Sequence, residues 1–246
     1  MQIDRVVLMA GGKGRRMGQG LPKAYLKIGE AIIGDLMIRE FSSLSRQVPF
    51  IVLPEGYQDF EGAETIISKG NYLRDILRVV GCKPQTETWL IVNADAILAS
   101  AEDAESFIQE ALTHAAGIIW PLVPQPFLPA ERQDWRVTKY LSGTRCQLAQ
   151  GNMILAKGPM QYNKHLAELV NQFDLLGYVL GWGGFWKALK FFTGFMGTPE
   201  QAICLGRMFG CEAAFITSER WQIAFDADTP KDLEFAIRIL GNRSTA

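Results

Sequence analysis

A short apolar segment, Val6 to Met9, is followed at once by a stretch that is rich in glycine and in basic residues. An apolar run of this length that ends in glycine is typical of a buried strand. Glycines let the backbone adopt positive φ and let a ligand approach the main chain closely. Cations set among free N–H groups form a site for phosphates. The glycines are Gly11, Gly12, Gly14, Gly18 and Gly20, and the cations are Lys13, Arg15, Arg16 and Lys23. The pattern predicts a phosphate-binding loop at the end of a strand.

The two commonest phosphate-binding glycine motifs do not fit this loop. A Walker A loop closes on Lys-Ser or Lys-Thr, and neither pair occurs between Gly12 and Lys23. A dinucleotide fingerprint needs G-x-G-x-x-G, but after Gly12 and Gly14 the next glycine is Gly18, one residue too late. The spacing therefore disfavours an NAD-dependent oxidoreductase.

Composition restricts the partners of the chain. The 246 residues are 48% hydrophobic and 21% charged, which is typical of a folded protein. A net charge of −1 gives no general attraction to nucleic acid or to an anionic membrane, so any affinity for phosphate must be local. The four cysteines form no C-x-x-C pair and no signal peptide is visible, so we expect reduced thiols and a cytoplasmic protein. The chain has two histidines, which disfavours a Ser-His-Asp catalytic triad and a histidine-rich zinc site.

Apolar segments of strand length alternate with segments of helical period along most of the chain. This alternation predicts βαβ units, and hence an α/β protein with a largely parallel sheet. The predicted strands are 6–9, 50–53, 65–68, 89–92, 118–120, 137–141, 153–156 and 213–217, and the predicted helices are 33–44, 72–80, 100–114, 160–173 and 229–240. Asn71 is the expected N-cap of the second helix, whose apolar face includes Tyr72, and Gly81 is its expected end. Ser100 with Asp103 is expected to start the third helix as a capping box, and Gly241 is the expected end of the last helix.

Two segments depart from the alternation. Four prolines between residues 121 and 135 predict a long loop or flap. Residues 175–197 form an aromatic and apolar segment, interpreted as a helical insertion, in which Lys187 and Lys190 and six glycines argue against a membrane span. Its aromatic side chains fit a core or dimer surface, an acceptor pocket or lid, or a membrane contact, in decreasing order of preference. A homodimer is therefore reasonable.

Several acidic residues lie at positions where they could bind a cation. In parallel α/β sheets ligands collect beyond the carboxyl ends of the strands, so the loop after Met9 and the turn at Asp95 are expected to face one cleft. A carboxylate at the end of a buried strand needs an ion or a donor nearby. Mg²⁺ prefers one or two carboxylates plus phosphate oxygens, and Asp226 or Asp228 could supply the second. Asp228 precedes Thr229, a predicted N-cap, so it could instead only favour that helix terminus.

Three motifs in this order resemble the NTP-transferase superfamily. They are G-x-G-x-R-M-G followed by Pro-Lys, the strand-end Asp95, and Asp-x-Asp-Thr-Pro-x-Asp-Leu from Asp226. Ala10-Gly11-Gly12 resembles the MobA-like (molybdenum-cofactor) nucleotidyltransferases, whereas the spacing from Pro22 to Leu26 resembles methylerythritol-phosphate cytidylyltransferases. The latter usually have Asp-Ala-Ala-Arg-Pro at the metal strand, and this chain has Asp95-Ala96-Ile97-Leu98. The resemblance spans residues 6–233 and is loose between 121 and 217.

The resemblance implies a three-layer α/β/α Rossmann-like nucleotidyltransferase fold with a mostly parallel mixed sheet, in one domain over residues 1–246. It also implies roles for individual residues. Arg16 and Lys23 would be catalytic, Asp95, Asp226 and Asp228 would hold Mg²⁺, and Gly151 and Asn152 would bind the acceptor. The nucleotide would be bound by Met9, Ala10, Gly11, Gly12, Lys13, Gly14, Arg15 and Asn93.

The implied reaction is transfer of a nucleoside monophosphate from an NTP to a phosphorylated small-molecule acceptor, with release of pyrophosphate. A MobA-like enzyme with an unassigned acceptor is the first interpretation, and a sugar-phosphate or polyol-phosphate nucleotidyltransferase of the methylerythritol-phosphate type is the second. From another class, a catalytically silent nucleotide-binding regulatory protein remains an alternative. Neither nucleic acid nor an integral membrane segment is expected.

Overall fold

A mixed sheet of eight strands forms the centre of the molecule in the computed structural model, which describes residues 1–12, 20–132, 148–160 and 198–243. The strands of the described residues are β1 Arg5–Met9, β2 Lys27–Ile28, β3 Ala31–Ile32, β4 Phe50–Leu53, β5 Glu64–Ile67, β6 Trp89–Asn93, β7 Ile118–Pro124, β8 Leu148–Gln150, β9 Met153–Ala156 and β10 Ala213–Thr217. The α-helices are α1 Ile33–Ser42, α2 Tyr72–Cys82, α3 Ala101–Thr113, α4 Thr198–Phe209 and α5 Pro230–Arg243.

The strand order of the sheet is β10-β7-β9-β6-β1-β4-β5, with β8 also paired to β7. The pairs among β5, β4, β1 and β6 are parallel, as is the pair of β7 with β10. Strand β9 is antiparallel to both β6 and β7, and β2 and β3 form a separate hairpin. This arrangement confirms the predicted mostly parallel mixed sheet.

Helices cover both faces of the sheet. Val6 and Leu8 of β1 pack into a core with α1, α3 and α5, whereas Val7 and Met9 pack on the opposite face with α2 and Phe209 of α4. Because successive side chains of a strand point to opposite faces, a strand that is apolar throughout is buried on both sides. The three-layer α/β/α architecture predicted from the sequence is confirmed.

The predicted helix starts agree with the structure better than the predicted helix ends do. Asn71 Oδ1 accepts from the Arg74 N–H at 3.0 Å, and Ser100 with Asp103 forms the predicted capping box. The predicted stops at Gly81 and Gly241 are wrong, because α2 continues to Cys82 and α5 to Arg243. Neither glycine is among those with positive φ, so neither takes the left-handed conformation that ends a helix.

The proline-rich segment begins later than predicted. Strand β7 runs through Pro121 to Pro124, and short 3-10 turns follow at Gln125–Phe127 and Ala130–Arg132. Pro121 is tolerated because it lies opposite an interruption between β8 and β9, where an N–H for the ladder is not required. The interpretation of residues 121–124 as a loop is therefore wrong.

Several predictions lie outside the described residues. They are residues 13–19 of the glycine loop, the end of the flap at 133–135, the strand 137–141, the helix from 161 to 173 and the aromatic segment 175–197. Within the described part of the chain, no helix is both long and apolar enough to cross a membrane.

Candidate active site

The ends of three neighbouring parallel strands form the edge at which the glycine loop begins. Met9 of β1 is paired with Asn93 of β6, and the Ala10 N–H donates to the Val52 carbonyl at 3.0 Å. The Ala94 N–H donates to the Met9 carbonyl at 3.1 Å. Of the residues predicted to bind the nucleotide, Met9, Ala10 and Asn93 are thus adjacent, and Gly11 and Gly12 continue from them.

Gly11 approaches a polar pair, the partly buried Ser68 and the buried Asp75, that sequence reasoning missed. A Cβ at Gly11 would lie 2.7 Å from Ser68 Oγ, so a larger residue would collide there. The Ser68 hydroxyl donates to Asp75 Oδ2 at 2.5 Å, and the Lys69 N–H donates to Asp75 Oδ1 at 2.8 Å. Asp75 is buried in the first turn of α2, where a carboxylate without such donors would be costly. No local sequence pattern indicates its contact with the glycine loop.

Asp95 lies on a turn directly after β6. The Ala96 N–H closes the turn on the Asn93 carbonyl at 3.0 Å. The Asp95 carbonyl accepts from the Ala227 N–H at 3.1 Å, which attaches this turn to the segment before α5.

That second segment, residues 225–228, presents its two carboxylates on one side. Phe225 and Ala227 are buried, and Phe225 stacks on Phe235 of α5 with ring centroids 5.7 Å apart. In an extended chain alternate side chains share a face, so Asp226 and Asp228 both point away from the core. The capping box between Thr229 and Asp232 starts α5 immediately afterwards, as predicted.

Lys23 is carried by a 3-10 turn, Lys23–Tyr25, that packs against the same edge. Ala24 is fully buried, and the Tyr25 ring packs on Tyr57 and Phe60 with centroids 5.3 and 4.8 Å away. The aromatic contacts hold the turn in place, so the Lys23 side chain projects toward the carboxylates rather than into solvent.

Four charged side chains from three segments that are distant in sequence meet at this edge. Lys23 Nζ donates to Asp95 Oδ2 at 2.7 Å and also to Asp228 Oδ1. Carboxylate oxygens of Asp95, Asp226 and Asp228 lie within 4.8 Å of one another. We call Asp95, Asp226 and Asp228 the acidic cluster.

Burial and mutual repulsion change the proton affinity of the cluster. Burial raises the pKa of Asp226 to about 7, and the charges of Asp95 and Asp228 add to the effect. Burial alone would lower the pKa of Lys23, but Asp95 and Asp228 outweigh it and raise that pKa above its ordinary value. One lysine therefore does not fully compensate the three carboxyl groups.

The acidic cluster fits a hard divalent cation. Asp95 Oδ1 is buried and has no hydrogen-bond partner among the described residues, although its other oxygen contacts Lys23. An unpaired buried carboxylate oxygen is costly unless something binds it. Mg²⁺ takes oxygen ligands, usually one or two carboxylates together with phosphate oxygens and water, and all three residues supply such oxygens.

Gly151 and Asn152, which were predicted to bind the acceptor, lie between β8 and β9 beside the cluster. A Cβ at Gly151 would lie 2.6 Å from Pro121 Cγ, so this position requires glycine for close packing. The Asn152 side chain donates to the Phe225 carbonyl and accepts from Asn93 Nδ2. Their acceptor role stays a prediction.

Tyr72 is a further residue that the sequence pattern misplaced. It was assigned to the apolar face of α2, but it is 47% exposed and its hydroxyl donates to Asn93 Oδ1 at 2.5 Å. At the first position of the helix its side chain points beyond the packed face. The predicted site residues Lys13, Gly14, Arg15 and Arg16 lie outside the described residues, and their roles also stay predictions.

Comparisons of structure agree with this architecture. A hypothetical transferase from Thermus thermophilus superposes with a TM-score of 0.66 at 18% identity, covering 95% of this chain and 100% of that one. A 2-C-methyl-D-erythritol 4-phosphate cytidylyltransferase, also from Thermus thermophilus, gives 0.54 at 15% identity, covering 97% and 98%. A 4-diphosphocytidyl-2C-methyl-D-erythritol synthase from Anaerococcus prevotii gives 0.52 at 12%, covering 98% and 96%. At these identities the likeness establishes the fold.

Comparison of sequence is more specific. No curated protein matches the chain. The family model of the MobA-like NTP transferase domain matches residues 6–173, which contain the glycine loop, Lys23, Asp95 and the Gly151-Asn152 pair. The match covers more than half of the 246 residues. The chain therefore belongs to the MobA-like NTP transferase family.

Proposed function

We propose that this protein transfers a nucleoside monophosphate from an NTP to a phosphorylated small molecule in a Mg²⁺-dependent reaction. The observation that carries the proposal is Asp95 Oδ1, a buried oxygen that has no partner in the described part of the chain and belongs to a cluster of three carboxylates. That cluster lies at the strand edge from which the glycine loop departs. Membership of an NTP transferase family supports a triphosphate as the substrate that brings phosphate oxygens to this edge.

Asp95, Asp226 and Asp228 would hold the Mg²⁺. When bound, the ion neutralises charge on the triphosphate. Lys23 would donate to phosphate oxygens, and Arg16, Lys13 and Arg15 of the glycine loop would do the same. The main chain from Met9 to Gly12, with Asn93, would lie against the nucleoside.

The proposed reaction is an in-line displacement. A phosphate oxygen of the acceptor forms a bond to the α-phosphorus of the NTP, and the bond from that phosphorus to the bridging oxygen of the β-phosphate breaks, releasing pyrophosphate. Such reactions need positioning and charge stabilisation rather than a protein nucleophile. A site composed of backbone N–H groups, cations and carboxylates has that character.

The acceptor is proposed only as a phosphorylated small molecule. A sugar phosphate or polyol phosphate is the second candidate class, and the cytidylyltransferase names among the structural relatives favour its inclusion in the test. Gly151 and Asn152 remain the predicted acceptor residues.

Pyrophosphate release tests the proposal. The protein is incubated with each of the four common NTPs, Mg²⁺ and a panel of phosphorylated metabolites that includes polyol and sugar phosphates. We expect release with one acceptor class, abolished by EDTA and by Asp95→Asn, and retained by Asp35→Asn on α1 as a matched control. NTP binding without release from any combination would support the silent regulatory protein and contradict the enzyme.

A further inference from the structure

Asn152 lies between β8 and β9, which run one after the other antiparallel to β7. Ile119 of β7 pairs with Leu155 and Leu122 pairs with Gln150, so two residues of β7 face four residues of the partner strand. The extra residues form a bulge at Gly151 and Asn152. A bulge bends a strand and redirects a side chain, and bulges are common beside active sites.

The bulge leaves no backbone group of these two residues unpaired. The Gly151 N–H donates to the Pro121 carbonyl at 2.8 Å, and the Gly151 carbonyl accepts from Trp120 Nε1 at 2.9 Å. The Asn152 N–H donates to the Ile223 carbonyl at 2.6 Å, and the Asn152 carbonyl accepts from the Asn93 N–H at 2.9 Å. The Asn152 backbone is therefore fixed to the end of β6 on one side and to the segment before α5 on the other.

The side chain of Asn152 repeats the same connection. Its Nδ2 donates to the Phe225 carbonyl at 3.1 Å, and its Oδ1 accepts from Asn93 Nδ2 at 2.8 Å. A carbonyl can only accept, so the bond to Phe225 fixes the orientation of both amides, and Asn93 Oδ1 is left to accept from Tyr72. We call Asn93 and Asn152 the asparagine bridge.

The asparagine bridge joins the two segments that carry the acidic cluster. Asn93 precedes Asp95 by two residues, and Phe225 directly precedes Asp226. These segments also meet directly, through the bond from the Ala227 N–H to the Asp95 carbonyl. The separation of Asp95 from Asp226 depends on where the bridge holds the two segments. Residues that orient metal ligands without binding the metal themselves often contribute strongly to metal affinity.

We propose that Asn152 is a positioning residue for the acidic cluster, which it holds at a separation suited to a divalent cation. It acts through Asn93 and Phe225, to which its amide oxygen and amide nitrogen are hydrogen-bonded. This inference rests on the proposed function only in that the cluster binds a cation; it adds the residue that sets the geometry of the cluster.

Mn²⁺ binding followed by electron paramagnetic resonance, without nucleotide or acceptor, tests the proposal. We expect Asn152→Ala, which leaves its backbone bonds intact, to weaken Mn²⁺ binding by about 10–100-fold. A residue that only contacts the acceptor cannot change this value, because the sample contains no acceptor. If Asn152→Ala does not fold, Asn152→Ser, which keeps one hydrogen-bonding group, is measured in the same way.

Gln47 supplies a matched control. Its amide also bridges two segments of the chain, because it accepts from Arg5 Nε and donates to Glu87 Oε1, each at 3.1 Å. This contact lies at the amino ends of the parallel strands, away from the acidic cluster. We expect Gln47→Ala to lower the melting temperature about as much as Asn152→Ala does and to leave the Mn²⁺ affinity unchanged. Equal weakening in both variants would overturn the proposal, as would wild-type affinity in Asn152→Ala.

Failure of the proposed function gives a different result. If Asp95→Asn leaves the Mn²⁺ affinity of the wild-type protein unchanged, the cluster is not the cation site, and the metal assignment itself is withdrawn. If Asp95→Asn abolishes binding and Asn152→Ala does not weaken it, only the positioning role is contradicted.

Discussion

Lys23 contacts carboxylates in the structure, although the sequence assigned it to phosphates. Its ammonium donates to Asp95 and Asp228, beside the carboxylate oxygen for which the described residues provide no partner. An ammonium and a divalent cation satisfy the same carboxylates, so they compete for this position. We expect Lys23 to move from the carboxylates to the phosphates when an NTP binds.

Lys23→Met tests this exchange. Removing a positive charge about 4 Å from a bound cation relieves at least about 1 kcal/mol of repulsion, so Mn²⁺ should bind about fivefold more tightly or better without nucleotide. Nucleotidyl transfer should fall by ~10²–10³, as on loss of one charge-stabilising donor. The control is Lys27→Met on the exposed strand β2, which should change neither value. Weaker Mn²⁺ binding in Lys23→Met would contradict the exchange.

Asp226 makes the stability of the protein depend on pH in the presence of EDTA. Its pKa is raised to about 7 in the folded protein from an ordinary value of 3.8. Between these values the folded protein holds a proton that the unfolded chain has lost, so the free energy of unfolding decreases as pH rises from about 4 to 7. The effect is at most roughly 4 kcal/mol, because about three pH units separate the two values.

Urea unfolding of Asp226→Asn measures this contribution. We expect the variant to match the wild type near pH 4 and to be the more stable protein above pH 7, because an amide does not ionise. A constant difference between the two proteins across this range would show that Asp226 does not titrate as described.

At the level of single residues, local chemistry predicted some of the side chains that meet beyond the strand ends and missed others. Asp95 and Asp226 were found because each follows a recognisable pattern at the end of a strand or before a capped helix. Ser68 and Asp75 were missed because their significance is their distance from Gly11, which no local pattern encodes. Tyr72 was misassigned because periodicity gives the face of a helix but not the environment of its first turn.

Secondary-structure elements were predictable where hydrophobicity and capping agreed. The predicted cap at Asn71 and the capping box at Ser100 are present. The predicted end of strand β7 before Pro121 is wrong. Proline is excluded from central strands except at bulges, and the bulge that permits Pro121 lies in the neighbouring strand, where the local sequence of β7 gives no sign of it. The helix stops at Gly81 and Gly241 failed because packing of the helix outweighs the modest cost of a helical glycine.

Glycine-to-alanine substitutions test two elements with opposite expected signs. Gly151→Ala places a Cβ 2.6 Å from Pro121 Cγ and 3.1 Å from the Pro121 carbonyl oxygen, so the bulge must shift, at a cost of about 1–3 kcal/mol. At Gly241, in the last turn of α5, a Cβ meets no described atom within 4 Å, so Gly241→Ala should stabilise by up to about 1 kcal/mol. Chemical denaturation measures both. Equal effects of the two substitutions would contradict the close approach at Gly151.

On the scale of the whole molecule, the site is a product of topology. Lys23 and Asp228 are 205 positions apart in sequence, and Lys23 and Asp95 are 72 apart, yet one ammonium contacts both carboxylates. The expectation that strand ends share a cleft predicted that these segments would meet. It could not predict that Lys23 would lie on the carboxylates or that Asn152 would join their segments, because the first depends on how a distant turn packs and the second on the bulge between β8 and β9.

A crystal structure with an NTP and Mn²⁺ bound tests the central claim most directly, because the anomalous signal of manganese locates the ion without assumptions. We predict that manganese lies between Asp95 and one or both of Asp226 and Asp228, in contact with the triphosphate, and that Lys23 Nζ has moved from Asp95 to a phosphate oxygen. Manganese or the triphosphate bound away from this strand edge, or Lys23 still paired with Asp95 beside a bound NTP, would contradict it.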